Sequence, residues 1–209
     1  MIHLQFVASV DQQKCTGCRL CEPVCPSGAI RMFEKRATVD AERCIDCQRC
    51  IDRCSSEDAI RRERRPSDVL RYVDSEGVDP VELKKLCAKA GVLPDLPICG
   101  CLRVTGKEAV TAILKGAKTP EDLCAMTGLR AGCGLYCVTR IFQVLEACGV
   151  QVVDPPDRRW IKLTLSLADI PGDKVAEIDR VYPQCCVGED WKRVANRTPA
   201  PAKKEGTHV

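Results

Sequence analysis

The chain has 209 residues, enough for about two domains, and 17 of them are cysteines. The formal net charge is +3 and aromatic residues make up 4% of the chain, so we expect no nucleic-acid partner. Residues 1–10 have no basic segment ahead of a short apolar stretch, which argues against a signal peptide. No apolar run is long enough to span a membrane. We therefore expect a cytoplasmic protein with reduced thiols.

Eight cysteines fall into two copies of one spacing. The first copy reads Cys-x2-Cys-x2-Cys-x3-Cys-Pro, and the second repeats it with Ser55 in place of the proline. A tight loop of this kind presents three thiolates to three corners of a cube, and the duplicated run can supply each fourth ligand by exchange. A zinc site, the alternative, ordinarily uses pairs of short Cys/His spacings with four ligands per metal. The eight residues are Cys15, Cys18, Cys21, Cys25, Cys44, Cys47, Cys50 and Cys54.

The duplicated run resembles that of bacterial ferredoxins, which hold two [4Fe–4S] clusters. In that family the fourth cysteine of each run binds the cluster of the other run. The resemblance therefore implies one [4Fe–4S] cluster on Cys15, Cys18, Cys21 and Cys54. It implies a second on Cys25, Cys44, Cys47 and Cys50.

The flanking segments predict a ferredoxin-like domain over residues 1–65 with duplicated half-motifs. Apolar residues alternate from Ile2 to Val7, which is typical of a strand. Two further segments, Ala29–Phe33 and Ala37–Asp40, flank a charged turn and predict a hairpin. Ala59-Ile60 repeats Ala29-Ile30 at the matching place in the second half, which indicates internal duplication.

Residues 66–96 are predicted to form a helical linker. Before them, residues 61–66 form a basic segment that we interpret as a solvated hinge, with a docking patch for an acidic partner as the alternative. Ser67 and Asp68 predict the start of a helix that runs through Val73. Asp79-Pro80 predicts a second helix that ends at Gly91.

Residues 97–150 contain a second group of cysteines between three predicted helices. The helices are predicted to begin at a Thr105-x-x-Glu108 capping box, at Thr119-Pro120 and after the loop 132–137, with the last ending at Gly149. Both cysteine pairs of this region precede helix N-termini, where free N–H groups and the helix dipole favour thiolates. A four-thiolate site is predicted from Cys99, Cys101, Cys133 and Cys137.

Residues 95–150 resemble the small helical [2Fe–2S] domain of bacterioferritin-associated ferredoxin. The segments that carry the resemblance are Ile98–Cys101, Gly116–Thr119 and Ala131–Cys133. They are still more similar to Fe–S subunits of amine and amino-acid dehydrogenases. The resemblance implies one [2Fe–2S] cluster, although the small ferredoxin usually separates its last two cysteines by two residues and here three lie between them. Zinc remains the alternative metal for this site.

The rest of the chain is predicted to form a docking extension over residues 151–195 and a disordered tail over 196–209. Within the extension, Val152-Val153 and Trp160–Leu167 read as strands, and Pro171–Tyr182 as a helix. The vicinal pair Cys185-Cys186 is predicted in a loop. Cys87, Cys124 and Cys148 lie on apolar helix faces and are predicted to pack in the core. The predicted class is α+β: a ferredoxin-like domain, a helical [2Fe–2S] domain and a short strand-containing extension.

No catalytic residue is predicted. The chain has no glycine-rich dinucleotide fingerprint and no P-loop, and its two histidines lie at opposite ends of the sequence. We therefore expect an electron-transfer subunit of a multi-subunit oxidoreductase, partnered by a catalytic flavoprotein or metalloenzyme in a hetero-oligomer. The alternatives are a stand-alone soluble carrier and a redox-responsive or iron-release partner protein.

Overall fold

The computed structural model describes residues 1–56, 58–152, 167 and 170–195. The chain divides into two compact units, Met1–Ile161 and Lys162–Val209. All twelve predicted cluster ligands belong to the first unit. The described residues form both helices and strands, in agreement with the α+β prediction.

Two antiparallel strand pairs frame the first part of the chain. The longer pair joins β1 (Ile2–Val10) to β4 (Ile60–Arg71), with Val10 opposite Ile60 and Ile2 opposite Arg71. The shorter is a hairpin of β2 (Ile30–Phe33) and β3 (Arg36–Val39), as predicted from the sequence. Its two-residue turn places both central residues at positive φ, as a type I′ hairpin requires. A short helix, α1 (Arg49–Arg53), lies inside the second cysteine run, where we predicted only a loop.

The hinge predicted over residues 61–66 and the helix predicted to run through Val73 were wrong, because Ile60–Arg71 form strand β4. The alternative, a docking patch for an acidic partner, stays a prediction. The arginine side chains of β4 form contacts within the fold. Arg62 and Arg64, two residues apart and therefore on one side of the strand, stack on the ring of Phe6 at 3.9 and 5.5 Å from its centroid. Arg65 is buried, and its guanidinium donates to backbone carbonyls. Pro66 is tolerated because it lies where the pairing register shifts.

Four helices form the core of the second part of the first unit: α2 (Pro80–Lys89), α3 (Gly106–Leu114), α4 (Pro120–Thr127) and α5 (Val138–Ala147). Their starts follow the predicted caps. The side chains of Asp79, Thr105 and Thr119 each accept a hydrogen bond from the first turn, and the capping box at Thr105 is complete. Gly128 ends α4 with a φ of 79°. Cys87 and Cys124 are fully buried in this core and Cys148 packs against it, as predicted.

The second unit contains α6 (Gly172–Val181), a 3₁₀ turn (Pro183–Cys185) and α7 (Val187–Ala195). The first of these confirms the helix predicted over Pro171–Tyr182. The Asp179 carboxylate accepts from the backbone N–H of Gly188, and the Trp191 indole donates to the Ile170 carbonyl at 2.9 Å. Cys185 and Cys186 are both exposed.

The strands predicted around Val152-Val153 and Trp160–Leu167 fall almost entirely outside the described residues, and so does the predicted tail after Ala195. Within the described parts of the chain, no helix combines the length and apolar character needed to cross a membrane.

Candidate iron–sulfur sites

Cys15, Cys18, Cys21 and Cys54 line one cavity, which we call site A. The remainder of the wall is largely apolar and includes residues of the hairpin and of β4. Cys18 is exposed and Cys21 is buried. Burial raises the pKa of Cys21 to about 11, and the three neighbouring cysteines add to the rise. The structure therefore brings together the first three cysteines of the first run and the last cysteine of the second.

Cys25, Cys44, Cys47 and Cys50 line a second cavity, site B. Three of these side chains are buried, and apolar residues close most of the wall. Burial raises the pKa of Cys47 to about 11 and that of Cys50 to about 12. Site B mirrors site A, because it joins three cysteines of the second run to the last cysteine of the first.

The backbone repeats the same devices in both cysteine runs. Asp11 and Asp40 lie just ahead of the two runs, and the Oδ1 atom of each accepts from the backbone N–H two residues later. The backbone carbonyl of each aspartate accepts from the backbone N–H of the first cysteine of its run at 3.0 Å. Their own N–H groups donate to the carbonyls of Ala59 and Ala29 respectively, at 2.9 and 2.7 Å. These two equivalent Asp–Ala hydrogen bonds therefore connect the two halves of the domain.

Positive φ angles also recur at matching places. The second and fourth residues after the first cysteine have φ of 73° and 64° in the first run and 52° and 62° in the second. These left-handed residues curl each loop so that its first three cysteines face one cavity. The first of them is Gly17, where a Cβ atom would collide with the carbonyl oxygen of Lys35. The other three are Arg19, Asp46 and Gln48.

Several thiols accept hydrogen bonds that would also stabilise a thiolate or a bound sulfur ligand. The backbone N–H of Ala29 donates to the Cys25 sulfur at 3.2 Å. The hydroxyl of Ser55 donates to the Cys18 sulfur at 3.3 Å and is the main cause of the lowered pKa of Cys18. The sequence showed Ser55 only as a departure from the Cys-Pro pattern, so this contact was not predictable from the spacing.

Cys99, Cys101, Cys133 and Cys137 come together at a third position, site C. The first two lie in the loop that leads to α3, and Cys137 directly precedes α5. Cys99 and Cys137 are 3% and 1% exposed and share a hydrogen bond, whereas Cys101 and Cys133 are exposed. The N–H of Cys133 donates to the Cys101 sulfur at 3.4 Å. Although three residues separate Cys133 from Cys137, the Cys137 thiol therefore still lies with the other three thiols.

Hydrogen bonds favour thiolates at site C. The bond from the Cys137 thiol, aided by the backbone N–H groups of Leu102, Cys101 and Arg130, lowers the pKa of Cys99 to about 6. The pKa of Cys137 is raised because its proton is held by Cys99 and because it is buried. The backbone N–H of Arg130 serves both thiols, a role that the sequence did not reveal.

The N–H groups of Leu135 and Tyr136 lower the pKa of Cys133. Gly132 is required here, since a Cβ atom would lie 3.0 Å from the Cys101 sulfur and closer still to its Cβ atom.

Site C lies against the site B half of the first domain. Arg43, one residue before Cys44, forms an ion pair with Asp122 of α4 at 2.9 Å. Arg71 donates to the carbonyls of Ala125 and Glu42 at 2.6 and 2.7 Å, and so bridges α4 to the second cysteine run.

Arg49, inside that run, donates to the carbonyl of Gly132 at 2.6 Å. The fully buried thiol of Cys124 has its pKa raised by burial and also by the charges of Glu121, Cys25 and Cys47.

The donor sets fit iron–sulfur clusters. Each site offers four cysteine sulfurs, the ligand type and number that such clusters use. Within the described residues, no set of three or more His, Cys, Asp or Glu side chains is arranged to hold a single metal ion. At sites A and B, the cysteines line the walls of cavities.

Comparison with known protein families agrees with this arrangement. Residues 14–57 match a family model described as a 4Fe-4S dicluster domain. Residues 97–147 match a model described as a BFD-like [2Fe-2S] binding domain. These matches confirm the two resemblances inferred from the cysteine spacing. The likeness to dehydrogenase subunits stays a prediction. Neither the curated proteins nor the solved structures include a match to the chain.

Proposed function

Because the chain contains a 4Fe-4S dicluster domain followed by a BFD-like [2Fe-2S] binding domain, we propose that it is the electron-transfer subunit of a multi-subunit oxidoreductase. In this proposal sites A and B each hold a [4Fe–4S] cluster and site C holds a [2Fe–2S] cluster. Such clusters, when bound, supply one-electron redox chemistry. The role of the polypeptide is then to place, bury and hydrogen-bond them.

The observation that carries this proposal is the pattern of exposure along the three sites. Site B shares a hydrophobic cluster with site A and is bridged to the site C domain by arginine side chains. Sites A and C each present exposed cysteines, namely Cys18 at one and Cys101 and Cys133 at the other. Site B has no exposed cysteine. This pattern suits a linear relay that exchanges electrons with partners at its two ends.

The repeated hydrogen bonds around the two cysteine runs support two cubane clusters rather than one. Asp11 and Asp40 make equivalent contacts, and each run completes the cavity of the other. If only one of the two cavities held a cluster, half of these matched contacts would have no cluster ligand to position.

A catalytic partner is proposed because the described residues offer electron-carrying sites without an evident substrate site. We propose that the partner is a flavoprotein, in line with the resemblance to the Fe–S subunits of amine and amino-acid dehydrogenases. The second unit, Lys162–Val209, contains none of the twelve candidate ligands. It is therefore available to contact other subunits.

Two measurements on anaerobically purified protein test this function. Iron and sulfide analysis should give about ten iron atoms per chain, from two [4Fe–4S] clusters and one [2Fe–2S] cluster. Native mass measurement of the endogenous protein should show a persistent complex with a larger catalytic subunit. A result near eight irons with zinc present would contradict a cluster at site C. An endogenous protein that is a monomer would support a free carrier and contradict the subunit proposal.

A further inference from the structure

Arg49 joins the ligand loops of sites B and C. It lies between Cys47 and Cys50, and its backbone N–H donates to the Cys47 sulfur. The side chain leaves site B, and its Nη2 donates to the carbonyl of Gly132 at 2.6 Å. Gly132 packs directly on Cys101 of site C. One side chain thus connects two ligand loops that are 83 residues apart in the sequence.

The site C loop is shaped to admit this guanidinium. Gly134 has a φ of 72°, a conformation that L-residues rarely adopt. A Cβ atom at this position would collide with the Arg49 guanidinium. Glycines at 132 and 134 therefore let one loop approach both Cys101 and Arg49 closely.

The charge of Arg49 is not neutralised locally. Arg43 and Arg62 are paired with Asp122 and Asp46, but among the described residues no carboxylate lies within ion-pair distance of Arg49. Its Nε is buried without a hydrogen-bond partner. A positive charge held close to a metal centre stabilises the reduced, more negative state of that centre and so raises its reduction potential.

We propose that Arg49 is a positioning residue that ties site C to site B and raises the reduction potentials of both centres by its charge. The inference rests on the proposed function, because it requires clusters at these sites. It adds a residue that is not a ligand and that couples the two modules electrostatically. Among the described residues, the hydrogen bond of the Arg49 guanidinium goes to Gly132 and not to a ligand of site A, so site A serves as the internal reference.

The test is a redox titration of the anaerobically purified, cluster-loaded full-length protein, followed by electron paramagnetic resonance. Arg49→Gln removes the charge and keeps a polar side chain. At the wild-type midpoint potential of the [2Fe–2S] centre, its ratio of reduced to oxidised form should fall about threefold or more, a shift of about 28 mV at 59 mV per tenfold change. The [4Fe–4S] signal of site B should shift in the same direction, and that of site A should shift less.

Arg53→Gln is the matched control. It removes the same charge from the same short helix, α1, but Arg53 is exposed, and the hydrogen bond to Gly132 comes from Arg49. Arg53 lines the same cavity as Gly132, so R53Q should shift the site C potential less than R49Q does. If R49Q shifts site C no more than R53Q does, the proposal is overturned.

Arg49→Lys separates charge from geometry. R49K keeps the charge and should hold the site C potential near that of the wild type. A shift as large as that of R49Q would contradict the role of charge. If R49Q does not assemble site C, assembly by R49K would still assign the requirement to the charge, and failure of both variants would contradict it. If the wild-type protein lacks a [2Fe–2S] signal, the proposed function fails and this inference fails with it, whereas a normal wild-type signal that R49Q does not shift overturns the inference alone.

Discussion

At the scale of single residues, the candidate ligands differ in their burial and in the hydrogen bonds that their sulfur atoms accept. Cys47 is half-buried and Cys50 is buried, and both thiols have raised pKa values, so they become thiolates only when a metal replaces their protons. Cys99 and Cys133 have lowered pKa values because hydrogen bonds are directed at them. These two sulfurs of site C are thus prepared as thiolates, whereas Cys137 has a raised pKa, like Cys47 and Cys50, and becomes a thiolate only when a metal replaces its proton.

Cys101→Ala should abolish the [2Fe–2S] signal and leave both [4Fe–4S] signals intact. Cys101 contributes to site C alone, and its exposed side chain is not part of the hydrophobic core. The measurement is low-temperature electron paramagnetic resonance of the reduced protein. Cys185→Ala, which changes an exposed cysteine of the second unit, is the control and should leave all three signals. Loss of all three signals in C101A would mean that the two modules do not assemble independently.

At the scale of elements, strand β4 decides the shape of the ferredoxin-like domain. It pairs along β1 and carries arginines whose charges are satisfied within the fold. Arg65 is 8% exposed and donates to the carbonyls of Phe6, Ala41 and Cys44 at 3.1, 2.8 and 3.1 Å. The last of these carbonyls belongs to a predicted ligand of site B. The strand therefore supports the backbone that presents the second cysteine run.

Arg65→Met should destabilise the domain strongly, because it leaves three carbonyls without their donor. A buried polar group left unsatisfied costs about 1–3 kcal/mol, so the total loss should exceed about 2 kcal/mol. The measurement is the urea concentration at which half of the visible iron–sulfur absorbance is lost. Arg61→Met, on the same strand, removes an exposed ion pair with Asp58 that is worth about 0–1 kcal/mol. Equal midpoints for R65M and R61M would show that Arg65 does not brace site B.

At the scale of the whole molecule, every candidate ligand lies in the unit Met1–Ile161. The two family-model matches also end within that unit, at residues 57 and 147. The second unit has helices of its own, and its buried residues include Val175. Cluster binding and the proposed contact with other subunits can therefore be tested on different parts of the chain.

Truncation after Ile161 should retain about ten irons and all three resonance signals. It should reduce or abolish co-purification with the catalytic partner, since the removed unit contains most of the docking extension predicted over residues 151–195. Iron analysis and native mass of the truncated chain, beside those of the full chain, measure both effects. If the truncated chain loses iron, the second unit is needed for cluster assembly. If it keeps both its iron and its partner, the docking role belongs elsewhere.

Local signals predicted the starts of three helices of the first unit, although the helix predicted from Ser67 is a strand and α1 was missed. Asp79-Pro80, the Thr105 capping box and Thr119-Pro120 each mark a helix start that the structure shows, because capping depends on hydrogen bonds within one turn. The hairpin of β2 and β3 was also predicted from a local signal, namely two short segments that flank a charged turn. Strand β4 was missed because its arginines look solvated in the sequence, and only the ring of Phe6 and the carbonyls near Cys44 explain them.

The sequence alone was enough to predict the two cluster-binding modules, because the cysteine spacings and the residues beside them are local patterns. It also determined where most helices begin. Only the tertiary structure decided that site B, and not site A, lies beside site C, and that Arg49 reaches Gly132 between them. Those contacts join residues far apart in the chain, so no local pattern encodes them, and they depend on how the two modules pack.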